Sequence, residues 1–360
     1  MSPANGRLAD DGRPAPEAVD GRMPADEARR AVIERLTEDR SFVVATHENP
    51  DGDALGSLIA THGLLRALGK DVAMFMAESD LPLPPEYRDF ELENLIHEVP
   101  ADIAQRTVVA LDCGNIDRSP AGALDAGAHL VNIDHHHDNT HFGTIDYVVP
   151  TASCTAEIVW GLMGDLAIEP TPLMAEAMYV ALVTDTGRFM YENTGVEAHR
   201  MAAYLIGHGV SVNAVYRRLY EESPFAKLRL LALALANVQR FDHGELTLAV
   251  LSAADFAAAE AEQSYSEGVI DHLRAVQGTR VAAVVRELTD RPGRHKISLR
   301  ATDGAVDVSV IARAQGGGGH HRAAGFSSEQ PIEQVIAFLR SEIAAQLHQG
   351  AGSGAQERVA

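Results

Sequence analysis

The chain has 360 residues, 46% of them hydrophobic, which is enough for two domains with sizeable cores and too apolar for a largely disordered protein. Its formal net charge of -21 argues against long DNA or RNA as a partner, because such binders need a basic face to displace counterions from many phosphates. Two cysteines without partner spacing, no apolar N-terminal signal segment and no run near the roughly 20 apolar residues of a membrane span predict a soluble protein of a reducing cytoplasm.

Residues 1–27 are rich in Ala, Pro, Gly, Asp and Arg without apolar periodicity, and residues 347–360 are rich in Gly, Ala and Gln; both are expected to be disordered tails. From Ala28 a helical pattern (Val32, Ile33, Leu36) leads to a strand over 41–45 and then to Thr46-His47-Glu48-Asn49-Pro50-Asp51-Gly52-Asp53. This turn offers an imidazole and the carboxylates of Asp51 and Asp53, a nitrogen and hard-oxygen set that suits a divalent metal of the Mn, Fe or Co kind. A bland alternative is a polar turn whose Asp53 caps the next helix, where Leu55, Leu58, Ile59, Leu64, Leu65 and Leu68 form an apolar stripe.

Strands are expected at 71–76, 107–111 and 128–133. The second ends in Asp112-Cys113-Gly114-Asn115, the third in Asp134-His135-His136-His137-Asp138-Asn139. In open α/β sheets ligands bind beyond the carboxyl ends of the strands, so three runs that each deliver Asp or His past a strand end converge on one place. Asp185 repeats the pattern in a loop after the helical stretch 173–183. Helices near 195–207, 211–220 and 224–239 bridge toward a second unit, with a linker at 211–240. That unit has strands at 246–251, 280–288 and 295–301 and helices at 269–276 and 306–314, the last running into Gly316-Gly317-Gly318-Gly319-His320-His321-Arg322. Four glycines free backbone N–H groups to meet an anion closely, with His320 and Arg322 beside them; a flexible loop is the alternative.

Taken in order, these motifs resemble the DHH phosphoesterase superfamily, and within it the two-domain nanoRNase/pAp-phosphatase branch, over residues 28–346. The resemblance implies an α/β fold: a DHH domain over 28–210 with a mainly parallel sheet flanked by helices, a helical linker over 211–240, and a smaller α/β DHHA1 domain over 241–346, with the active site in the cleft between them. It implies two manganese ions, with magnesium or cobalt as substitutes. His47 and Asp51 would hold one ion, Asp53, His135 and Asp185 the other, and Asp112 would bridge them. His136 would contact substrate or assist the leaving group with Asp134 behind it, while Arg300, Gly316, Gly317, Gly318, Gly319 and His320 would take a terminal phosphate or nucleotide. His137 departs from the family pattern and leaves open which imidazoles face the metals. His62, His97, His129, His208 and His243 lack an acidic constellation and are expected in structural or surface roles.

The activity so implied is hydrolysis of very short RNA to 5′-mononucleotides together with conversion of pAp to AMP. A cyclic di-AMP or linear dinucleotide phosphodiesterase would use the same residues. A nucleotide sensor without catalysis is a different class, opposed by the occupancy of every acidic and histidine position that a two-metal scheme requires. Neither a long nucleic acid nor a membrane is expected as partner, and a homodimer is left open.

Overall fold

The computed structural model describes residues 23–118, 125–289 and 291–356, so the tail expected over 1–27 falls mostly outside the described residues. Helix α1 (Ala25–Glu38) begins inside that expected tail, with Asp26 and Glu27 in its first turn complementing the helix dipole. The chain divides into two compact units between Tyr216 and Arg217.

In the first unit α1 is followed by β1 (Ser41–Ala45), α2 (Gly52–Ala67), β2 (Asp71–Phe75), β3 (Leu95–Ile96), β4 (Thr107–Leu111), β5 (His129–Asp134) and β6 (Ile145–Val148). Helices α3 (Thr155–Asp165), α4 (Pro172–Asp185), α5 (Val196–Gly207) and α6 (Val212–Tyr216) complete it. The six strands lie in the order β3-β2-β1-β4-β5-β6, and every pairing is parallel. Strand order reverses between β1 and β4, the place where an open α/β sheet leaves a crevice at its carboxyl edge. The turn after β1, the Asp112 run after β4 and the Asp134 to His136 run after β5 all open there. The short strands β3 and β6 went unread in the sequence because each is brief and only partly buried.

Helix α2 is not the one-sided stripe its leucines foretell: burial is continuous from Gly52 to His62. Its glycines explain why. A Cβ at Gly52 would lie 2.3 Å from the Thr184 hydroxyl oxygen, at Gly56 2.4 Å from the Ala177 carbonyl oxygen, and at Gly63 2.4 Å from the Met174 sulfur. This small-residue seam lets α2 lie hard against α4 and brings the start of α2, with Asp53, beside the end of α4, with Asp185. Gly56→Val is therefore expected to destabilise the fold by about 3 kcal/mol, since the overlap is with backbone; urea unfolding that shows a loss under about 0.5 kcal/mol would contradict the seam.

The second unit opens with a π-helical turn (Arg217–Glu221), then α7 (Phe225–Ala236), β7 (Gln239–Phe241), β8 (Leu246–Leu251), α8 (Ala253–Ala259), α9 (Val269–Arg274), β9 (Val281–Glu287) and β10 (His295–Ala301). It ends with α10 (Val308–Arg313), β11 (Gly318–His320), β12 (Ala323–Ser328) and α11 (Ile332–Gln356), which continues past position 346. Its sheet runs β11-β12-β10-β9-β8-β7, antiparallel except for β8 with β9. Alternate residues of β9 face opposite cores: Val281, Ala283 and Val285 pack with Ile311, Val335 and Leu339, while Ala282 and Val284 pack with Leu230, Phe256 and Leu273.

The glycine run is structured and is not the flexible loop of the alternative reading. The Gly316 and Gly317 N–H groups close α10 by donating to the Arg313 and Ala312 carbonyls, and Gly318–His320 forms the edge strand. Among the described residues no helix is long and apolar enough to cross a membrane.

Candidate metal centre

The turn after β1 fixes its own shape. Asp51, and not Asp53, caps α2: its carboxylate accepts the N–H groups of Asp53 and Ala54 at 3.0 and 3.1 Å. Asp53 is thereby released to point inward, where it is 1% exposed. Its carboxylate accepts the Thr155 and Ala156 N–H groups at 2.7 and 3.0 Å and the Ser57 hydroxyl at 3.2 Å. Cys154, the residue at the cap of α3, supplies no side-chain cap, so an aspartate from far back in the chain serves that helix end.

Asp112 stands at the centre. It follows β4 with a left-handed φ of 55°, a conformation Asp tolerates better than most residues, and it is 3% exposed. Around it lie His47 Nε2 at 3.6 Å, His135 Nε2 at 3.7 Å and His136 Nδ1 at 3.5 Å, and the Thr155 hydroxyl donates to it at 3.0 Å. His135 Nε2 also lies 3.9 Å from Asp53 and 3.6 Å from Asp185. His47 donates its Nδ1–H to the Glu48 carbonyl at 2.9 Å, which sets the tautomer and leaves Nε2 as the inward ligand atom.

Asp185 is the last residue of α4 and not a loop residue, because the helix closes only beyond it, at Thr186 and the left-handed Gly187. Asn193 donates to its carboxylate at 3.2 Å and to its carbonyl at 3.1 Å. Behind the ring of donors Asp134 is fully buried, accepting from His136 Nδ1 at 2.6 Å, from the His135 N–H at 2.8 Å and from Asn139 at 2.5 Å. Asn139 is itself held by Asn132 at 3.0 Å. His137 is exposed and belongs to none of the donor groups, so His135 and His136 are the imidazoles that face inward. Thr155, Asn139 and Asn193 were missed in the sequence. Each acts through hydrogen bonds between segments distant in the chain, and no local spacing announces that.

Three donor groups emerge, each with ligand atoms within 4.8 Å of one another: His47, Asp51 and Asp112; Asp53, His135 and Asp185; and Asp112, His135 and His136. The histidine-to-carboxylate separations of 3.5 to 3.9 Å are too long for hydrogen bonds. The electrostatics also ask for cations. Burial, then the fields of Asp112 and Asp185, hold the Asp53 carboxyl well above its usual range. Burial and the field of Asp112 push Asp185 up to about 7, against the pull of His135. Burial opposes charge on His47 and His135, yet the surrounding aspartates raise each to about 9. Asp112 resists the same burial: the close approach of His47 and the fields of His136 and His135 keep it far below the usual carboxylate range. Imidazole nitrogen mixed with hard oxygen fits first-row divalent cations.

The sequence pattern of the DHH family, N-terminal domain, matches residues 41–182, and that of the DHHA1 domain matches residues 247–349. The chain is 32% identical over 339 residues to the bifunctional oligoribonuclease and PAP phosphatase NrnA of Thermus thermophilus, covering 90% of this chain and 98% of the relative. This chain belongs to the DHH family. A second relative, the bifunctional oligoribonuclease and PAP phosphatase NrnA of Bacillus subtilis, is 26% identical over 84% of this chain and 94% of its own length. Among solved structures, an exopolyphosphatase-related protein from Bacteroides fragilis shares the fold with a TM-score of 0.79 and 21% identity, covering 90% of this chain and 97% of that one.

In this DHH family member Asp134 reaches the donor groups through the His136 ring and the His135 N–H. Asp134→Asn is expected to lower turnover by about 10 to 100-fold with the fold retained, since it loosens the ring of His136 without removing a donor. Turnover within about 2-fold of wild type would show that His136 needs no such partner.

Proposed function

We propose that the chain is a metal-dependent phosphoesterase that hydrolyses very short RNA to 5′-mononucleotides and removes the 3′-phosphate of pAp. The observation that carries this reading is the junction at Asp112, where one buried carboxylate belongs to two donor groups, one with residues that follow β1 and one with residues that follow β5. In it His47, Asp51 and Asp112 hold one manganese ion, and Asp53, His135, Asp185 and Asp112 hold the other; magnesium and cobalt suit the same donors. Such a pair acidifies water and neutralises the charge that gathers on phosphorus-bound oxygens.

The chain's own residues do the rest. Asp53, held by two backbone N–H groups and Ser57, keeps its position without spending a side-chain cation. Burial opposes a proton on His136, but the Asp134 hydrogen bond and the field of Asp112 raise its pKa above the ordinary value. With Nδ1 given to Asp134, Nε2 is the atom by which His136 hands a proton to the departing oxygen or steadies a phosphate oxygen. No side-chain nucleophile is needed.

In the second unit Arg300, Gly316, Gly317, Gly318, Gly319 and His320 take the terminal phosphate or nucleotide. Gly317 and Gly319 leave no room for a Cβ, which would lie 2.2 and 2.5 Å from backbone oxygens, whereas Gly318 faces open space on the edge strand. Gly318 is thus the position that reports on ligand capture without disturbing the fold. The names of the Thermus and Bacillus relatives support this substrate class, and a chain of net charge -21 suits substrates with few phosphates.

One experiment tests the reading: pAp, a diribonucleotide, a five-mer, a twenty-mer and cyclic di-AMP assayed with manganese, on wild type and Gly318→Ala. The expected order puts pAp and the diribonucleotide first and the twenty-mer last, with a higher KM for the diribonucleotide in the variant. Equal efficiency at every length contradicts the choice of substrate. Preference for cyclic di-AMP moves the assignment to a cyclic dinucleotide phosphodiesterase with the same site.

A further inference from the structure

The segment that follows Asp185 is folded into a knot. Gly187, Arg188 and Phe189 are left-handed in succession, with φ of 53°, 64° and 64°, although two of the three carry side chains that disfavour it. Thr186 holds the knot closed: its carbonyl accepts the N–H groups of both Met190 and Tyr191 at 3.0 Å, and its hydroxyl accepts that of Phe189 at 3.1 Å. Asn193 then ties the far end back to Asp185, donating to its carbonyl and its carboxylate at 3.1 and 3.2 Å. Phe189 turns onto His199, ring centroids 5.1 Å apart and nearly parallel at 21°. The Tyr191 ring lies on Gly187, where an added Cβ would meet the ring at 2.3 Å.

This construction spends strained backbone to hold apolar surface out in solvent beside a proposed metal ligand. Met190 is 73% exposed, Tyr191 37% and Val196 67%, three apolar residues within seven positions. Burying Met190 would be the cheaper arrangement for folding alone, and an exposed apolar cluster beside a polar site marks a binding surface. The ligand of that site has one apolar part. Phosphates and ribose go to cations and hydrogen-bond donors, whereas a nucleobase offers a flat π face that stacks on an aromatic ring and on a polarisable thioether, without preference among bases.

We propose that Met190 and Tyr191, held by the knot at 187–191, form the platform on which a nucleobase of the substrate packs next to the metal centre, and so help to select nucleotides over other phosphoesters. The inference rests on the phosphoesterase reading above. Neither residue is among the proposed metal ligands or proton donors, so its variants leave the chemistry in place.

The test compares a diribonucleotide with the same molecule lacking both bases, using manganese-loaded wild type, Met190→Ala and Met190→Trp. Met190→Ala is expected to raise KM for the diribonucleotide about 10-fold, the scale of one lost stacking contact, with kcat little changed and with constants for the abasic molecule equal to wild type. Met190→Trp restores a flat apolar face and is expected to keep the wild-type KM. Equal losses on both substrates, or an unchanged KM for the diribonucleotide, would overturn the platform while leaving the hydrolase reading intact. A wild-type enzyme inert on both molecules would instead overturn the hydrolase reading, and the platform with it.

Discussion

Asp112→Asn is expected to lower turnover by several orders of magnitude while the protein stays folded. The substitution keeps the shape of the side chain, and Asn enters the left-handed region about as readily as Asp, so the φ of 55° is not an obstacle. The Thr155 hydroxyl can still donate to the remaining carbonyl oxygen. What disappears is the one negative charge that lies near His47, His135 and His136 together. With an amide there, neither donor group that shares the position retains its full charge, and His47 and His135 lose one of the carboxylates that raise their pKa. Turnover at saturating manganese, with circular dichroism on the same sample, decides the matter; near-normal turnover would end the assignment of Asp112 as the shared ligand.

Removing the metals should abolish activity, and manganese should restore it better than calcium, which prefers an all-oxygen shell. The same experiment has a signature in stability. In the metal-free protein the Asp185 carboxyl sits at about 7 against an ordinary 3.8, a raised acid whose contribution is present at low pH and lost as pH rises through about 7. His47 and His135, raised from 6.5 to about 9, contribute fully below 6.5 and lose that contribution as pH rises through about 9. Asp112, depressed, has the opposite dependence, but in the acid range below its ordinary 3.8. Metal-free protein should therefore lose stability between about pH 4 and about pH 9 from these groups, first through Asp185 and then through the two histidines. Cations need ionised carboxylates and neutral imidazoles, so they bind more tightly over the same interval. The gap in Tm between manganese-loaded and chelated protein should widen as pH rises. A gap that is constant or narrows, or full activity in protein shown metal-free by elemental analysis, would contradict the donor set.

The parts of this molecule legible in the sequence are those written locally. The apolar run Thr107–Leu111 states its burial on both faces, and the aspartates and histidines that follow β1, β4 and β5 state the carboxyl edge of a parallel sheet. The parts that stayed hidden are written across distance. That Asp51 and not Asp53 caps α2 depends on Asp53 finding the N-terminus of α3, a contact between residues 53 and 155 that no spacing rule contains. That α4 ends on Asp185 and delivers it to His135 depends on glycines of α2 reading as a packing seam. The glycine run of the second unit looked like a loop because four glycines carry no pattern, yet Gly317 and Gly319 are required by the close backbone of β12.

A pair of cations joined by Asp112 would be seen outright by anomalous diffraction at the manganese absorption edge, from crystals grown with manganese. Two peaks are expected, one in contact with His47, Asp51 and Asp112 and the other in contact with Asp53, His135, Asp185 and Asp112. A single peak, or peaks that do not share Asp112, would contradict it.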